Sequence, residues 1–242
     1  MTDRLDVGTV IRRVFDIYVD QAPVLLPASA VVFVITGIVA SLLVAAGNGL
    51  AIIAFLISFV AGALFTGMIV ELVADVQDGR RDHSAGQLLK AIGPVFNQLI
   101  VVAIIAAIGI GVGFTLIIVP GLILMTIWAV VAPVVVLERP GVFAAFGRSR
   151  ELVRGNGWST FGVVLVLALL VQLIAVAIDA SAESAGTGVG IVVRVIIGVL
   201  VGPVSALAAA VLYFELRRLH GGAPLGASAE APDVSSDPPT PA

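Results

Sequence analysis

The chain has 242 residues, of which 60% are hydrophobic and 12% charged, with a mean hydropathy of +1.15; a soluble domain carries roughly 25% charged residues, so water-soluble packing is excluded for most of its length. Cys is absent, which rules out a disulfide framework, a thiolate nucleophile and a Cys-based metal site. The formal charge of -3 and pI near 5.3 identify no partner, because the basic residues flank the apolar runs while part of the acidic excess sits in the tail.

The opening MTDRLDVG has no basic region feeding a short apolar core, so the first true span is expected to act as an uncleaved signal-anchor. Val7, Val10, Ile11, Val14 and Ile17/Tyr18 follow helical spacing, with Asp6, Arg12, Arg13, Asp16 and Asp20 largely off that face. The uncharged stretch from Gln21 to Val70 is too long for one crossing and breaks at Gly47-Asn48-Gly49, which predicts spans at 23–46 and 49–75. Leu88, Leu89, Ile92, Val95 and Phe96 repeat the amphipathic pattern, opposed by Gln87, Lys90 and Asn97. The next uncharged stretch, Asn97 to Leu137, divides around Gly109, Gly111, Gly113 and Pro120, giving spans at 97–116 and 119–137. Pro120 then falls in a first helical turn, where its missing N–H removes no intrahelical bond.

Val142, Phe143, Phe146, Leu152 and Val153 form a third apolar face, opposed by Arg148, Arg150, Glu151 and Arg154. Trp158 to Ile178 makes the fifth span, closed by a polar turn from Asp179 to Gly186. Gly190 to Phe214 makes the sixth, stopped by Glu215, Arg217 and Arg218. The last segment, 221–242, is rich in Pro, Ala, Ser and Asp and is expected to be a disordered cytoplasmic tail.

Apart from Arg194, the basic residues fall in four patches: Arg4/Arg12/Arg13, Arg80/Arg81/Lys90, Arg139/Arg148/Arg150/Arg154 and Arg217/Arg218. If each intervening stretch crosses the bilayer twice, all four lie on one side, as the positive-inside tendency requires. The expected fold is all-α and polytopic: six transmembrane helices as three hairpins, each preceded by an amphipathic cytoplasmic surface helix. The units run about 6–76, 84–138 and 140–220 within a membrane domain of 1–220, with both termini cytoplasmic.

The run VPGLILMTIWAVVAPVVVLE from Val119 to Glu138, with GVFAAFGRSRELVRGNGWSTFGV after it and DVGTVIRRVFDIYVDQAPVLLP near the start, resembles the membrane domain fused to some bacterial glycerophosphoryl diester phosphodiesterases. The resemblance rests on Pro120-Gly121 at a span start, Pro133 shortly before Glu138, and the string from Arg148 to Asn156. It implies a multi-pass module without the catalytic partner. Those hydrolases need a soluble barrel of about 250 residues with a metal-binding carboxylate and His cluster, which this chain has no room for. Its two His, His83 and His220, match no ligand or triad spacing.

Few polar groups fall within spans. Asp179 and Arg194 are equidistant from the turn between Gly186 and Thr187, so a hairpin would bring them to similar depth as an intramembrane ion pair; Arg194 can instead snorkel to headgroups. Gln172 is expected to bond across helices. Gly198 and Gly202, continued by Ala206 and Ala210, make a small face for helix packing. Arg12, Arg13, Arg148, Arg150 and Arg154 are the candidate lipid or partner contacts, with Pro120, Gly121, Pro133, Glu138 and Asn156 structural.

The reading is a non-enzymatic membrane module that organises lipid or partner proteins at the cytoplasmic face. Its alternative is a small transporter or channel for a lipid-like or hydrophobic solute. No cofactor or metal is expected. Membrane lipids, with a protein partner or a second copy of the chain, are the expected partners, and nucleic acid is not.

Overall fold

A computed structural model describes residues 5–77, 92–185 and 187–221, with the side chains at 175, 177–191, 193 and 194 among those outside the description. It is helical throughout, and no strand occurs among the described residues. The helices are α1 (Val7–Ala46), α2 (Ala51–Gln77), α3 (Phe96–Leu116), α4 (Ile118–Ile127), α5 (Val131–Leu137), α6 (Val142–Val153), α7 (Gly157–Ala185) and α8 (Thr187–Leu219), with single 3-10 turns at Asn48–Leu50 and Gly93–Val95 leading into α2 and α3. Among the described residues six stretches are long and apolar enough to cross a bilayer, the fourth composed of α4 and α5 together. The chain is a multi-pass helical membrane protein. The expectations for Arg80, Arg81, His83, Lys90 and 222–242 lie outside the described residues.

Burial is uneven along the bundle. At the end that carries the described arginines, Val10, Val14, Phe65, Leu99, Val134 and Leu216 are all buried. Toward the other end, α1, α2, α4 and α7 present Ile38, Leu42, Ile52, Ile118 and Leu173 outward. That exposure costs nothing in lipid, whose tails are as apolar as the side chains.

The first amphipathic segment is not a separate surface helix. It continues into the first span as α1, 40 residues long, through Pro23 and Pro27. At 1.5 Å per residue such a helix is about 60 Å long, twice the roughly 30 Å hydrocarbon thickness, so part of it lies beyond the bilayer core or runs tilted. Its first turns place Val10 and Val14 in the protein's own core rather than among acyl chains. Internal Pro residues are tolerated in membrane helices when neighbours re-satisfy the freed backbone groups.

The same compensation operates at Pro203 inside α8. Proline has no N–H for the carbonyl four residues back, here Val199, and its ring crowds that turn. Ser29 Oγ from α1 stands 2.9 Å from both Val199 O and Leu26 O of its own helix, which share its one proton, and Tyr18 Oη donates to Leu200 O at 3.0 Å. Ser29 is wholly buried. Ser29→Ala should therefore cost about 1–3 kcal/mol, the penalty for a buried acceptor left unpaired, measured by thermal unfolding in detergent; Thr at the same position, which keeps the hydroxyl, should recover most of it. Gly37, Gly198 and Gly202 bring α1 and α8 close enough for these bonds, with the Phe33 ring lying over Gly198 and Gly202. The GxxxG face thus packs internally.

The α3–α4 hairpin turns where the predicted spans at 97–116 and 119–137 meet. Gly109, Gly111 and Gly113 lie inside α3, which runs on to Leu116, and the chain turns at Ile117 in extended backbone. Gly113 faces the backbone of Gly121, and Gly109 faces the Trp128 ring. Gly109 and Gly113 allow close helix approach, and none of the three breaks the helix, because hydrocarbon leaves their backbone groups no better partner than the helix itself.

Candidate functional site: the basic rim and the cavity beneath it

The fourth span is interrupted at Trp128–Val130. Val131 N–H turns back to Trp128 O, so Ile127 O loses its regular helical donor. Ser149 Oγ of α6 supplies one at 2.8 Å. Pro133 withholds a second bond, the one Ala129 O would accept in a continuous helix. Non-helical backbone at membrane depth is tolerated where it is buried in protein or lines a cavity, and both conditions hold here.

After α5 the chain reverses through Glu138, Arg139, Pro140 and Gly141, with Arg139 at φ 50° and Gly141 at φ 93°. The reversal sends α6 back along α5. Ala145, Ser149, Leu152 and Val153 are buried against the bundle, and Phe146 stacks edge-on with Trp128 at 4.8 Å. Of the apolar face expected to sit in acyl chains, only Phe143 points outward, 81% exposed. The break in the fourth span explains the difference: the unpaired carbonyl at Ile127 and the gap beside it accept α6 as a packing partner.

Glu138 is the centre of a polar network at this corner. Its Oε2 accepts from Arg148 Nε at 2.7 Å and its Oε1 from the buried Tyr213 hydroxyl at 3.0 Å, while Arg148 Nη1 reaches Glu151 at 3.4 Å. Hydrogen bonding to the Glu138 carboxylate raises the Arg148 guanidinium pKa above its ordinary value, against partial desolvation. A second network joins α1 to α8: Glu215 accepts from Arg13 at 2.8 Å and from Arg218 at 3.2 Å. Asp6 caps α1 by accepting from the Thr9 hydroxyl and backbone N–H, which lowers its carboxyl pKa. Asn156 precedes α7, where its carbonyl takes the Thr160 N–H at 2.9 Å. Its side chain approaches Leu5 N at 3.5 Å, tying the start of the chain to the α6–α7 corner.

The structure therefore divides the candidate arginines. Arg13 and Arg148 are held in ion pairs at the surface, to Glu215 and Glu138, with side chains 49% and 39% exposed. Arg12, Arg150 and Arg154 are exposed, and none makes an ion pair among the described residues. Phe143 and Trp158, which precede Arg150 and follow Arg154 in the chain, are 81% and 87% exposed, as interfacial aromatics are. Pro120 sits in the first turn of α4 and Gly121 against Phe114. Asp179 and Arg194 lie on α7 and α8, with side chains outside the described set, and Gln172 is exposed on α7.

Sequence reasoning missed Tyr213, Ser149 and Ser29. Tyr213 carries a usable signal, a hydroxyl in the last span just before its charged end. Two lone serines carry none, since their purpose lies in carbonyls on other helices.

Beneath the rim lies a cavity of about 670 Å³ among α2, α3, the α4–α5 break and α8, within the roughly 300–1,000 Å³ range of ligand pockets. Small residues make its space, among them Gly62, Ala103, Ala106, Ala129, Gly202 and Ala206, and none of the described residues lining it is charged. Ser58 and Thr66 also line it, but their hydroxyls donate to Ala54 O and Gly62 O of their own helix.

No protein-family model matches the chain, and no solved structure does. It is 27% identical over 168 residues to a UPF0259 membrane protein of Pectobacterium carotovorum subsp. carotovorum, covering 67% of this chain and 62% of that one. UPF0259 membrane proteins of Yersinia pestis and Yersinia pseudotuberculosis are each 29% identical over 166 residues, covering 67% of this chain and 60% of theirs. The chain thus spans about three fifths of the length of the curated relatives it matches. These likenesses correct the resemblance to the glycerophosphoryl diester phosphodiesterase membrane domain: the similar proteins carry a different family name. The short runs behind that resemblance combine a Pro-Gly helix start with an Arg-rich corner, which multi-pass proteins of unrelated origin share because the bilayer imposes both.

Proposed function

We propose that this protein is a non-enzymatic membrane module whose basic rim faces the cytoplasm and gathers anionic lipid headgroups. The observation that carries the reading is the division among the rim arginines. Arg13 and Arg148 are engaged by Glu215 and Glu138, whereas Arg12, Arg150 and Arg154 are exposed with no ion pair among the described residues, and Phe143 and Trp158 are exposed at either end of the α6 segment that carries two of them. Guanidinium groups suit phosphate because their planar fork donates two parallel hydrogen bonds. The cytoplasmic side of the rim follows from the excess of basic residues there. A carrier of lipid-like solutes is the second reading, favoured by the uncharged cavity.

The test replaces Arg12, Arg150 and Arg154 together by Gln and follows retention of phosphatidylglycerol against phosphatidylcholine by native mass spectrometry. Each basic residue near an anionic surface contributes about 1 kcal/mol, so the triple variant should bind phosphatidylglycerol roughly 100-fold more weakly, with phosphatidylcholine unchanged. Added salt should weaken the parent in the same direction. Undiminished preference for phosphatidylglycerol in the variant would reject the reading.

A further inference from the structure

We infer that the cavity beside Trp128 is a binding site for one acyl chain of a bilayer lipid, admitted sideways between α4 and α7. A narrower recess of about 220 Å³, lined by Met125, Val163, Leu167 and Ala168, shares Ala129, Ser205 and Ala209 with the larger cavity. The two spaces therefore adjoin at these small residues, the recess lying on the α4 and α7 side and the larger cavity inside the bundle. Along those helices Ile123, Val166 and Leu170 are exposed, as surfaces facing acyl chains are.

The chemistry of the wall selects the occupant. No charged residue lines either space among the described residues, and apolar side chains predominate. Water finds few partners on such a wall, where Ser58, Thr66 and Ser205 supply hydroxyls and the first two already donate to their own helix. An empty space would forfeit the dispersion contacts of every side chain around it. At this depth the surrounding medium is hydrocarbon, so the molecule available to fill a laterally open space is a lipid tail. Ions and polar solutes would enter without compensation for their lost hydration. Segments 78–91 and 222–242 of the chain itself, rich in charged, Pro and Ser residues, are chemically unsuited to it.

The slot is made by small residues. Ala129, Ala168, Ser205, Ala208 and Ala209 line the junction and recess where larger side chains would close it. None of the residues lining these spaces is a rim arginine, so tail capture and headgroup capture are separate events.

The protein contains two tryptophans, and Trp128 lines the cavity. Replacing Trp158 by Phe leaves Trp128 as the sole reporter. In nanodiscs of phosphatidylcholine brominated at mid-chain, Trp128 fluorescence should be quenched relative to the unbrominated lipid. Adding Ser205→Phe, which fills the junction of the two spaces, should abolish most of that quenching. If Ser205→Phe does not fold, Ala209→Leu takes its place. Absence of quenching in the Trp158→Phe protein, or equal quenching in a folded slot-filled variant, overturns the inference. The rim variant described above should leave the quenching unaltered, so failure of either idea is distinguishable from failure of the other.

Discussion

Gly113→Ala should destabilise the protein by about 1–3 kcal/mol, the range for forcing extra volume into a packed interface, whereas Gly111→Ala, two residues away on the same helix, should be neutral or stabilising by up to about 1 kcal/mol. A Cβ at Gly113 would stand 2.9 Å from Gly121 Cα and 3.0 Å from its nitrogen. Backbone cannot move aside as a side chain can, so α3 and α4 must separate. At Gly111 a Cβ meets nothing within 4 Å, and only the intrinsic helix preference for Ala over Gly acts. Thermal unfolding of both variants in the same detergent measures the difference. Equal midpoints would show that the two helices do not pack through Gly113. Gly202 makes a useful third case: there the added Cβ meets the edge of the Phe33 ring, which borders the cavity and can swing into it. Gly202→Ala should cost less than Gly113→Ala, and Phe33→Ala should relieve what it costs, a coupling that a double-mutant cycle reads directly.

Glu138→Ala should be the most damaging single change at the basic rim. It strips Arg148 and the buried Tyr213 hydroxyl of their shared acceptor at once. Loss of a fully buried pair costs 3–5 kcal/mol; with the Arg148 and Glu138 side chains 39% and 22% exposed, solvent screens part of this, and about 2–3 kcal/mol is expected. Tyr213→Phe alone removes one neutral donor to a carboxylate and should cost about 1–2 kcal/mol. The combination Glu138→Leu, Arg148→Met and Tyr213→Phe leaves no partner stranded, so it should be more stable than Glu138→Ala despite three changes. If the triple variant unfolds at or below the midpoint of Glu138→Ala, the network contributes through something other than mutual satisfaction. Because the network positions α6, Glu138→Ala should also loosen the corner that presents Arg150 and Arg154, and proteolysis between α5 and α7 is the accompanying readout.

The six crossings and their approximate ends were legible because hydrocarbon is an unforgiving solvent. It demands about twenty uncharged residues per helix and concentrates arginines at span ends, patterns that need no knowledge of neighbours. Pro120 in a first turn belongs to the same class of local inference. What the residues could not disclose by themselves was which carbonyl each distant hydroxyl reaches: Val199 for Ser29, Ile127 for Ser149, Leu200 for Tyr18. Those pairs join positions 22 to 182 residues apart, and nothing in the spacing of a lone serine announces its partner. Periodicity likewise identified amphipathic faces around Val10, Val14 and Leu152 without saying whether protein or lipid would cover them, since both media reward the same apolar stripe. The bundle decided for protein, because the interruption at Trp128–Val130 left space and an unpaired carbonyl that α6 fills. The glycines of α3 carry the same lesson: composition marked them as special, and only the distance to Gly121 and Trp128 shows that they admit a neighbouring helix without breaking their own.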